Sequence, residues 1–541
     1  MTNYLKNIKN KEILIVVLVY LVFSLISLIS YKDFGVSIDE WELRIHGFVN
    51  LKYIMTNLFS LSTVELDRIL QIPILDSYYG THGAYFATFI SFIEYFFNVQ
   101  DEQKVYFISH LINHLVFILA NFYFFLIIKD RYNNHIYGLL GALFLFLSPR
   151  IYGESFYNQK DIFFLSIFII NLYYGIAFLK VTSIKNSILF SLTTALCIDI
   201  RIMGIILTPI ILFFTYLKNL KIKKTRILIP YLLFLILGPI ITILFWPFLW
   251  ANPINNFLEV FLSMSNFHWG GYNLYFGEYI LGSHLPWHYT FVWIGITTPI
   301  FYLFLFLIGF FLISLRIKRR IFNIKDESED KDIWSGDNEL QDLINYLIFS
   351  VPIFFVISLN STLYDGWRHL YFIYPSFLYI SLKGLYLINI SFFKKSSWVV
   401  FCLTIPFLLH IGYQMVKDHP HQNVYFNFFA GNNTHLKFEV DYWGLSNKQA
   451  FEILLSEDNK KTILIGAAGP LSLENSKKII DINDRNRLVI TTNDKADYIV
   501  DNYRNWYGDN KEKRYKIPSN FKIYKEISRR GRKIISIYKK T

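Results

Sequence analysis

Long apolar runs recur along this chain, and they restrict what it can fold into more than any other feature. A helix needs roughly 20 apolar residues to cross a bilayer. About eleven runs approach that length, near 12–31, 104–128, 136–149, 161–180, 186–200, 202–217, 227–248, 289–315, 346–360, 369–390 and 397–415. Charged residues make up 17% of the chain, against about 25% in a typical soluble domain. The sequence therefore predicts a polytopic α-helical membrane protein.

Lysine and arginine residues predict how these helices are oriented. With the runs above, the basic clusters at 6–11, 129–131, 180–185, 218–226, 316–325 and 394–395 all fall on one side. The positive-inside rule makes that side cytoplasmic and places the N-terminus there. The net charge of +12 is then a topology signal, and we expect no nucleic-acid partner. The loops 32–103, 150–160, 249–288 and 361–368 and the turn near Arg201 are predicted to lie outside.

The sequence from about 416 onward has a different pattern. An odd number of spans places this tail outside the cytoplasm. The segments "KTILIGAAG", "RLVITTN" and "ADYIVDNY" indicate short strands, and "SNKQAFEILLSE" indicates an amphipathic helix. This alternation is typical of a small α/β domain. We therefore predict a transmembrane domain at 1–415 and an extracytoplasmic α/β domain at 416–541.

The first outer loop carries a cluster of carboxylates directly after the first span, in "YKDFGVSIDEWELRIHG", 31–47. Asp39 and Glu40 are flanked by Trp41 and other bulky apolar residues, which favours partial burial. One interpretation is that these acids solvate a loop. The other is that one of them is a general base that accepts a proton from an attacking hydroxyl. Composition alone leaves both interpretations open.

Two further outer segments carry charges at the mouths of spans. They are "SPRIYGESFYNQKD", 148–161, and "NSTLYDGWRHLYFIYP", 360–375. Charges so close to a bilayer are costly unless they are paired or functional. For 148–161 the sequence predicts either interfacial anchoring with local ion pairs or a polar wall that faces the first loop. For 360–375 it predicts either interfacial anchoring, helped by Trp367 and several tyrosines, or a clamp for an anionic lipid head group formed by two outer arginines at span ends. The residues concerned are Arg150, Glu154, Lys160, Asp161, Asp365, Arg368 and His369.

A single arginine, Arg201, interrupts the apolar sequence "LCIDIRIMGIIL". It has two candidate partners. One is the carboxylate of Asp199, two residues earlier in the chain. The other is a phosphate, whose oxygens a guanidinium binds in a bidentate geometry.

The sequence predicts neither a metal nor a nucleotide cofactor. His268, His284 and His288 lie in one long loop, but their spacing matches no helical histidine pair and no thiolate accompanies them. The only cysteines, Cys197 and Cys402, lie in apolar runs and have no ligand spacing. No glycine-rich phosphate loop or dinucleotide fingerprint is present.

In their order along the chain, these motifs resemble the C-type glycosyltransferases, in particular the protein-mannosyltransferase and aminoarabinose-transferase-like branch. The resemblance lies in the first-loop acidic pair, in "YYGTHGAYFATF", "LTTALCIDIRIMGIIL", "SHLPWHYTFVWIGITTP" and "WRHLYFIYPSF", and in "DHPHQNVYFNFFAG" with "DYWGLSNKQAF". The chain departs from the family pattern at three points. Some relatives have Asp-Asp in place of Asp39-Glu40, many have lysine in place of Arg201, and His421 replaces an expected tyrosine.

The resemblance implies a C-type glycosyltransferase fold and an inverting transferase. A hexosyl or pentosyl group would pass from a polyprenyl-phosphate carrier to a hydroxyl of a lipid, glycan or protein, at the outer face of a bacterial cytoplasmic membrane. Asp39 and Glu40 would be the catalytic pair, with Asp39 as the base. Arg201 and Arg368 would hold the carrier phosphate. The pocket would be lined by Glu154, Lys160, Asp161, Arg150, His82, His288 and His369. Relatives in this branch generally need no metal.

Two other functions also fit a polytopic chain. A transporter or flippase of lipids or lipid-linked sugars would share the many spans, but it usually binds its cargo near the bilayer midplane and often contains paired repeats. Here the charges lie at span ends and no repeat is visible. A non-catalytic membrane protein that captures glycans with its tail would not require Asp39.

Overall fold

The computed structural model describes residues 10–59, 72–80, 85–221, 228–265, 267, 269–322, 333–393, 396–505, 507 and 517–541. Within these ranges, nine helices are long and apolar enough to cross a membrane. They are Lys11–Ser30, Glu102–Tyr132, Asp161–Lys180, Ile202–Leu220, Leu228–Phe245, Ile300–Phe322, Gly336–Ser358, Arg368–Phe392 and Ser397–Asp418. The pair His135–Phe146 and Pro149–Tyr157, which meet at 66°, forms a tenth span if counted as one. The remaining predicted run, 186–200, is the helix Ile184–Ile200 of 17 residues. The chain is a multi-pass membrane protein.

Helices that do not qualify as spans lie at the end of the bundle where the tail packs. Two of them, Ile38–Phe59 and Tyr85–Phe96, cross so closely at Gly47 that an added Cβ would lie 2.4 Å from the Ala87 carbonyl oxygen. The others in this half of the chain are Ser77–Gly80, Pro253–Ser265 and Tyr289–Thr297. The 3₁₀ segments of the described ranges are Ile202–Ile206, Pro247–Leu249, Arg368–Ile373, Gln422–Val424, Phe428–Ala430 and Thr434–Leu436.

Local sequence explains where several helices begin and end. The turn between Glu102–Tyr132 and the next helix uses Asn133, whose φ of 47° is left-handed, a conformation that asparagine tolerates well. The side chain of Asn134 then accepts hydrogen bonds from the first amides of His135–Phe146, as an N-cap does. The predicted run 289–315 is divided because Pro299 disfavours helical geometry at Thr298, whose ψ is 143°.

Paired glycines allow two long helices to pack at very short range. A Cβ built at Gly309 would lie 2.1 Å from the carbonyl oxygen of Ile380, and a Cβ at Gly384 would lie 2.1 Å from that of Leu305. The helices Ile300–Phe322 and Tyr374–Phe392 therefore contact each other backbone to backbone. This close packing of small residues is a common means of association inside membranes, where the hydrophobic effect does not drive helices together.

The tail folds around a five-stranded mixed sheet. Its strands are β3 (Ile463–Ala467), β4 (Leu488–Ile490), β5 (Tyr498–Asp501), β6 (Phe521–Arg529) and β7 (Arg532–Lys540), in the order β4-β3-β5-β7-β6. β3 pairs parallel with β4 and β5, and β7 pairs antiparallel with β5 and β6. The helices of the tail are Asn447–Glu457, Leu473–Lys477 and Ile482–Arg485. The predicted small α/β domain is confirmed.

The segment 419–446 joins the last span to this sheet and is packed into the end of the bundle. The side-chain Nδ2 of Asn427 donates to the carbonyl oxygens of Gly295 at 2.6 Å and Thr298 at 2.7 Å. The Trp443 carbonyl accepts the amide of Ile38 at 3.1 Å. A hairpin of β1 (Tyr272–Tyr275) and β2 (Glu278–Leu281) adds a bridge from Tyr275 to Phe438. The boundary at 415/416 stays a prediction, and it falls within the helix Ser397–Asp418.

Gly309→Ala is expected to destabilise the bundle by about 1–3 kcal/mol, since the added methyl group forces two backbones apart. The matched control is Gly238→Ala, because a Cβ at Gly238, also within a helix, meets no atom within 4 Å. The measurement is the thermal unfolding midpoint of both variants in the same detergent. Equal midpoints for the two variants would show that the glycine pair is not a tight contact.

Candidate active site

Charged residues from five distant segments meet at the end of the bundle that carries the tail. Asp39 lies in the first turn of Ile38–Phe59, and Asp161 is the first residue of Asp161–Lys180. Both positions suit a carboxylate, because the N-terminus of a helix carries a partial positive charge. Arg201 has extended backbone between Ile184–Ile200 and a 3₁₀ segment. The remaining members are Arg368 and Asp365, which precede the helix Tyr374–Phe392, and Arg504 of the tail.

Arg368 is the centre of this cluster. Its Nη1 lies 3.3 Å from Asp39 Oδ2 and 3.2 Å from Asp161 Oδ2, and its Nη2 lies 3.4 Å from Asp365 Oδ2. The side chain is 4% exposed, and its guanidinium carbon lies 4.7 Å and 4.8 Å from the ring centres of Tyr364 and Trp443. Three carboxylates and two aromatic faces thus fix the position of one guanidinium.

Arg201 contacts the same carboxylate and not the nearby Asp199. Its Nη2 donates to Asp161 Oδ1, so that Asp161 lies between two guanidinium groups. Asp199 is fully buried, and neither of its carboxylate oxygens has a hydrogen-bond partner in the described part of the chain. Asp199 is therefore not the ion-pair partner of Arg201 in this structure.

Two guanidinium donors of the cluster have no acceptor among the described residues. They are the buried Nε–H groups of Arg201 and Arg368. The buried His369 Nδ1 also lacks a hydrogen-bond partner there. Lys160 is half-buried beside them. Burial and the neighbouring Arg201 lower the pKa of Lys160 to about 8. An oxyanion with several acceptor oxygens would match these donors.

The two acids of the first-loop pair face different surroundings. Asp39 is 36% exposed and lies at the open side of the cluster. Glu40 is 1% exposed and accepts hydrogen bonds from the Ser37 amide at 2.6 Å and from Gln159 at 3.4 Å, while His110 Nε2 lies 2.8 Å away. Because neighbouring helical residues point about 100° apart, only Asp39 is placed to meet an incoming molecule.

Glu154 and Arg150 lie beneath the cluster and not on an open wall. Glu154 is fully buried and accepts hydrogen bonds from the hydroxyls of Tyr371 at 2.8 Å and Tyr442 at 2.9 Å. Arg150 is 3% exposed, and its guanidinium lies over the rings of Trp293 and Phe426. These contacts join the helix Pro149–Tyr157 to the segment 419–446.

The histidines predicted to line the pocket fall in different places. His369 lies beside Arg368 and packs edge-on against Tyr364 at 4.5 Å. His288 Nδ1 lies 2.7 Å from the Tyr275 hydroxyl, and no direct contact joins it to Arg368 or Asp39 in the described ranges. His82 and His268 lie outside the described residues. Among the residues that are described, no three His, Cys, Asp or Glu side chains form a metal-binding group.

Two charged residues of the site, Arg504 and Glu439, were not predicted. Arg504 Nη2 lies 2.5 Å from Asp365 Oδ1. Glu439 is 5% exposed. Burial and the nearby Asp365 raise the pKa of Glu439 to about 8. The only local signal was a charge between aromatic residues, in "KFEVDYWG" and "DNYRNWYG".

Glu439→Gln is expected to change how stability depends on pH. The pKa of Glu439 is raised from 4.5 to about 8, so between those values the folded protein keeps a proton that the unfolded chain loses. Wild-type stability should therefore fall with rising pH in that window, relative to the variant, by up to about 1.4 kcal/mol for each pH unit. The check is the difference in unfolding midpoint between wild type and variant at pH 5, 6, 7 and 8. A constant difference would contradict a buried, protonated Glu439.

Comparison with known proteins gives structural neighbours only. No family model matches the chain, and no curated protein matches it in sequence. Two crystal structures of ArnT from Cupriavidus metallidurans are similar to it, one bound to undecaprenyl phosphate with a TM-score of 0.42 and one in the apo state with a TM-score of 0.44. In both cases 97% of this chain and 97% of the ArnT chain are covered, at 11% sequence identity.

Proposed function

We propose that this protein is an inverting glycosyltransferase that moves a sugar from a polyprenyl-phosphate carrier to an acceptor hydroxyl. The observation that carries the proposal is the cluster around Arg368. It places two buried guanidinium Nε–H groups, which have no acceptor among the described residues, beside the partly exposed carboxylate of Asp39, where a multi-pass bundle ends. A lipid-linked phosphate would reach this position from the membrane, and a hydroxyl acceptor would reach it from water.

The phosphate would bind between Arg201, Arg368 and Lys160. Its oxygens supply the acceptors that the two Nε atoms lack, and guanidinium groups bind phosphate in a bidentate manner. In the structure these cations are partly neutralised by Asp161 and Asp39. A phosphate that binds Arg368 would compete with Asp39 for the same guanidinium and so leave that carboxylate available to accept a proton.

Asp39 would act as the general base. The acceptor oxygen attacks the anomeric carbon, its proton passes to the Asp39 carboxylate, and the bond from that carbon to the phosphate oxygen breaks. The carrier phosphate leaves with the electron pair. Arg201 and Arg368 stabilise the negative charge that develops on it, which is an electrostatic contribution to catalysis. Attack opposite the leaving group inverts the anomeric centre.

The position of the charges favours this function over transport. Asp39, Asp161, Arg201 and Arg368 lie at helix ends on one side of the bundle, next to the tail, whereas transporters usually bind their cargo near the bilayer midplane. We assign this side to the outer face of a bacterial cytoplasmic membrane and the N-terminus to the cytoplasm, because the basic loops lie at the opposite ends. The acceptor would be a lipid, a glycan or a protein.

Asp39→Asn is expected to lower kcat by about 10²–10⁴-fold, because asparagine keeps the shape and cannot accept the proton. Purified protein in detergent is assayed with a panel of labelled polyprenyl-phosphate sugars, and binding of the donor is measured separately. Donor binding should persist in the variant.

The control is Asp33→Asn. Asp33 lies in the same loop, is 48% exposed and contacts His419 at 2.8 Å, outside the Arg368 cluster. Transfer at the wild-type rate by Asp39→Asn would remove the base assignment. Binding or movement of the lipid by wild type without any transfer would favour a flippase.

A further inference from the structure

Three ion-paired side chains, Arg368, Asp365 and Arg504, connect the Arg368 cluster to the tail. Asp365 lies between two guanidiniums, with Oδ2 at 3.4 Å from Arg368 Nη2 and Oδ1 at 2.5 Å from Arg504 Nη2. All three side chains are 4% exposed. At this burial, salt and water screen the interaction little, so the position of each group depends on its neighbour.

Arg504 is held by the sheet domain. It follows β5 after three residues, and its amide donates to Asn502 Oδ1 at 3.2 Å. The Asn502 side chain in turn donates to the Asp441 carbonyl at 2.8 Å. Arg504 Nη1 also donates to the carbonyl of Tyr442. Docking of the sheet therefore determines where this guanidinium lies.

Asp365 is held from the other side by a specific turn. Its φ is 57° and that of Gly366 is 75°, two consecutive left-handed residues. Its amide donates to Asn273 Oδ1 at 3.1 Å, and the Asn273 side chain donates to the Leu363 carbonyl at 3.1 Å. The backbone thus aims the Asp365 carboxylate into the gap between the two arginines.

We propose that Arg504 is a positioning residue, which acts through Asp365 to keep Arg368 in place for the carrier phosphate, and that this contact is a function of the tail. The inference rests on the proposed function. With Arg504 present, the charge of Asp365 is shared between two cations. Without it, Arg368 is the one cationic partner that the described residues leave to this buried carboxylate, and Asp365 draws the guanidinium away from Asp39 and Asp161. The phosphate then loses a preorganised donor.

Arg504→Gln should raise the KM for the polyprenyl-phosphate sugar by about tenfold, the usual scale for losing a buried charge-assisted contact. Arg504→Lys, which keeps the charge, should recover part of that loss. The KM for the acceptor should stay within about twofold of wild type, because the acceptor does not contact Arg368. A purely structural defect would instead reduce the active fraction, and so kcat, and leave the donor KM unchanged.

The matched control is Arg487→Gln. Arg487 is also a tail arginine, and its guanidinium donates to the carbonyls of Leu455, Asp458 and Lys460 within the tail. The double variant Asp365→Asn/Arg504→Gln, together with the two single variants, completes a double-mutant cycle. Its fold increase in donor KM should be smaller than the product of the two single fold increases, because the two residues act through one contact.

Direct binding of undecaprenyl phosphate separates this inference from the proposed function. If wild type transfers no sugar, the proposed function fails, and the binding assay still tests whether Arg504 positions Arg368 through Asp365. About tenfold weaker binding by Arg504→Gln, with binding by Arg487→Gln unchanged, supports this positioning role. Equal binding by wild type and Arg504→Gln, or an equal loss with Arg487→Gln, overturns it.

Discussion

The buried guanidinium of Arg368 keeps its positive charge, and the surrounding structure supplies negative charge beside it. An arginine does not deprotonate in a protein, and at 4% exposure the charge of Arg368 is stabilised by carboxylates at contact distance. Three segments supply them, with Asp39 from the first loop, Asp161 from a helix start and Asp365 from a left-handed turn. Each segment is therefore held at one point by the same positive charge.

This arrangement differs from an ordinary buried ion pair because its pairing is incomplete. Asp161 lies between Arg201 and Arg368, while the Nε atoms of both arginines lack partners in the described ranges. A contrasting cluster lies at the opposite end of the bundle, around Asp342. There one carboxylate accepts from Arg131, Arg316 and the Tyr379 hydroxyl, and Lys383 lies 3.2 Å away. In that cluster, cations and a hydroxyl surround one carboxylate. In the Arg368 cluster, three carboxylates surround one guanidinium, and two Nε donors have no acceptor in the described ranges.

Local sequence pattern was sufficient for much of the fold and for part of the site. The apolar runs predicted most spans within a few residues, because a bilayer selects for length and composition. The helix Gly336–Ser358 begins ten residues before the predicted 346, since Asp337, Glu339 and Asp342 resemble loop residues until their basic partners are known.

The segment 148–161 shows the same limit. Its charges were recognised, but only packing shows that Glu154 and Arg150 face inward while Lys160 and Asp161 face Arg201.

Contacts between the tail and the body could not be predicted in the same way. Nothing in "DNYRNWYG" indicates that Arg504 meets Asp365, because that contact depends on how a sheet docks on a bundle. Likewise, the short separation in sequence made Asp199 a natural partner for Arg201, whereas in the structure Arg201 pairs with Asp161. Only three-dimensional placement distinguishes these cases.

The distances along the chain between the members of the Arg368 cluster have a consequence for biosynthesis. Asp39 and Arg368 are separated by 329 positions, and Asp365 and Arg504 by 139. A ribosome-bound chain whose first spans are already inserted thus carries Asp39 long before its cationic partner exists. Until the sheet domain has been synthesised and has docked, Asp39 lacks Arg368, and Asp365 lacks Arg504. The assembled cluster is thereby a late event in the maturation of the chain.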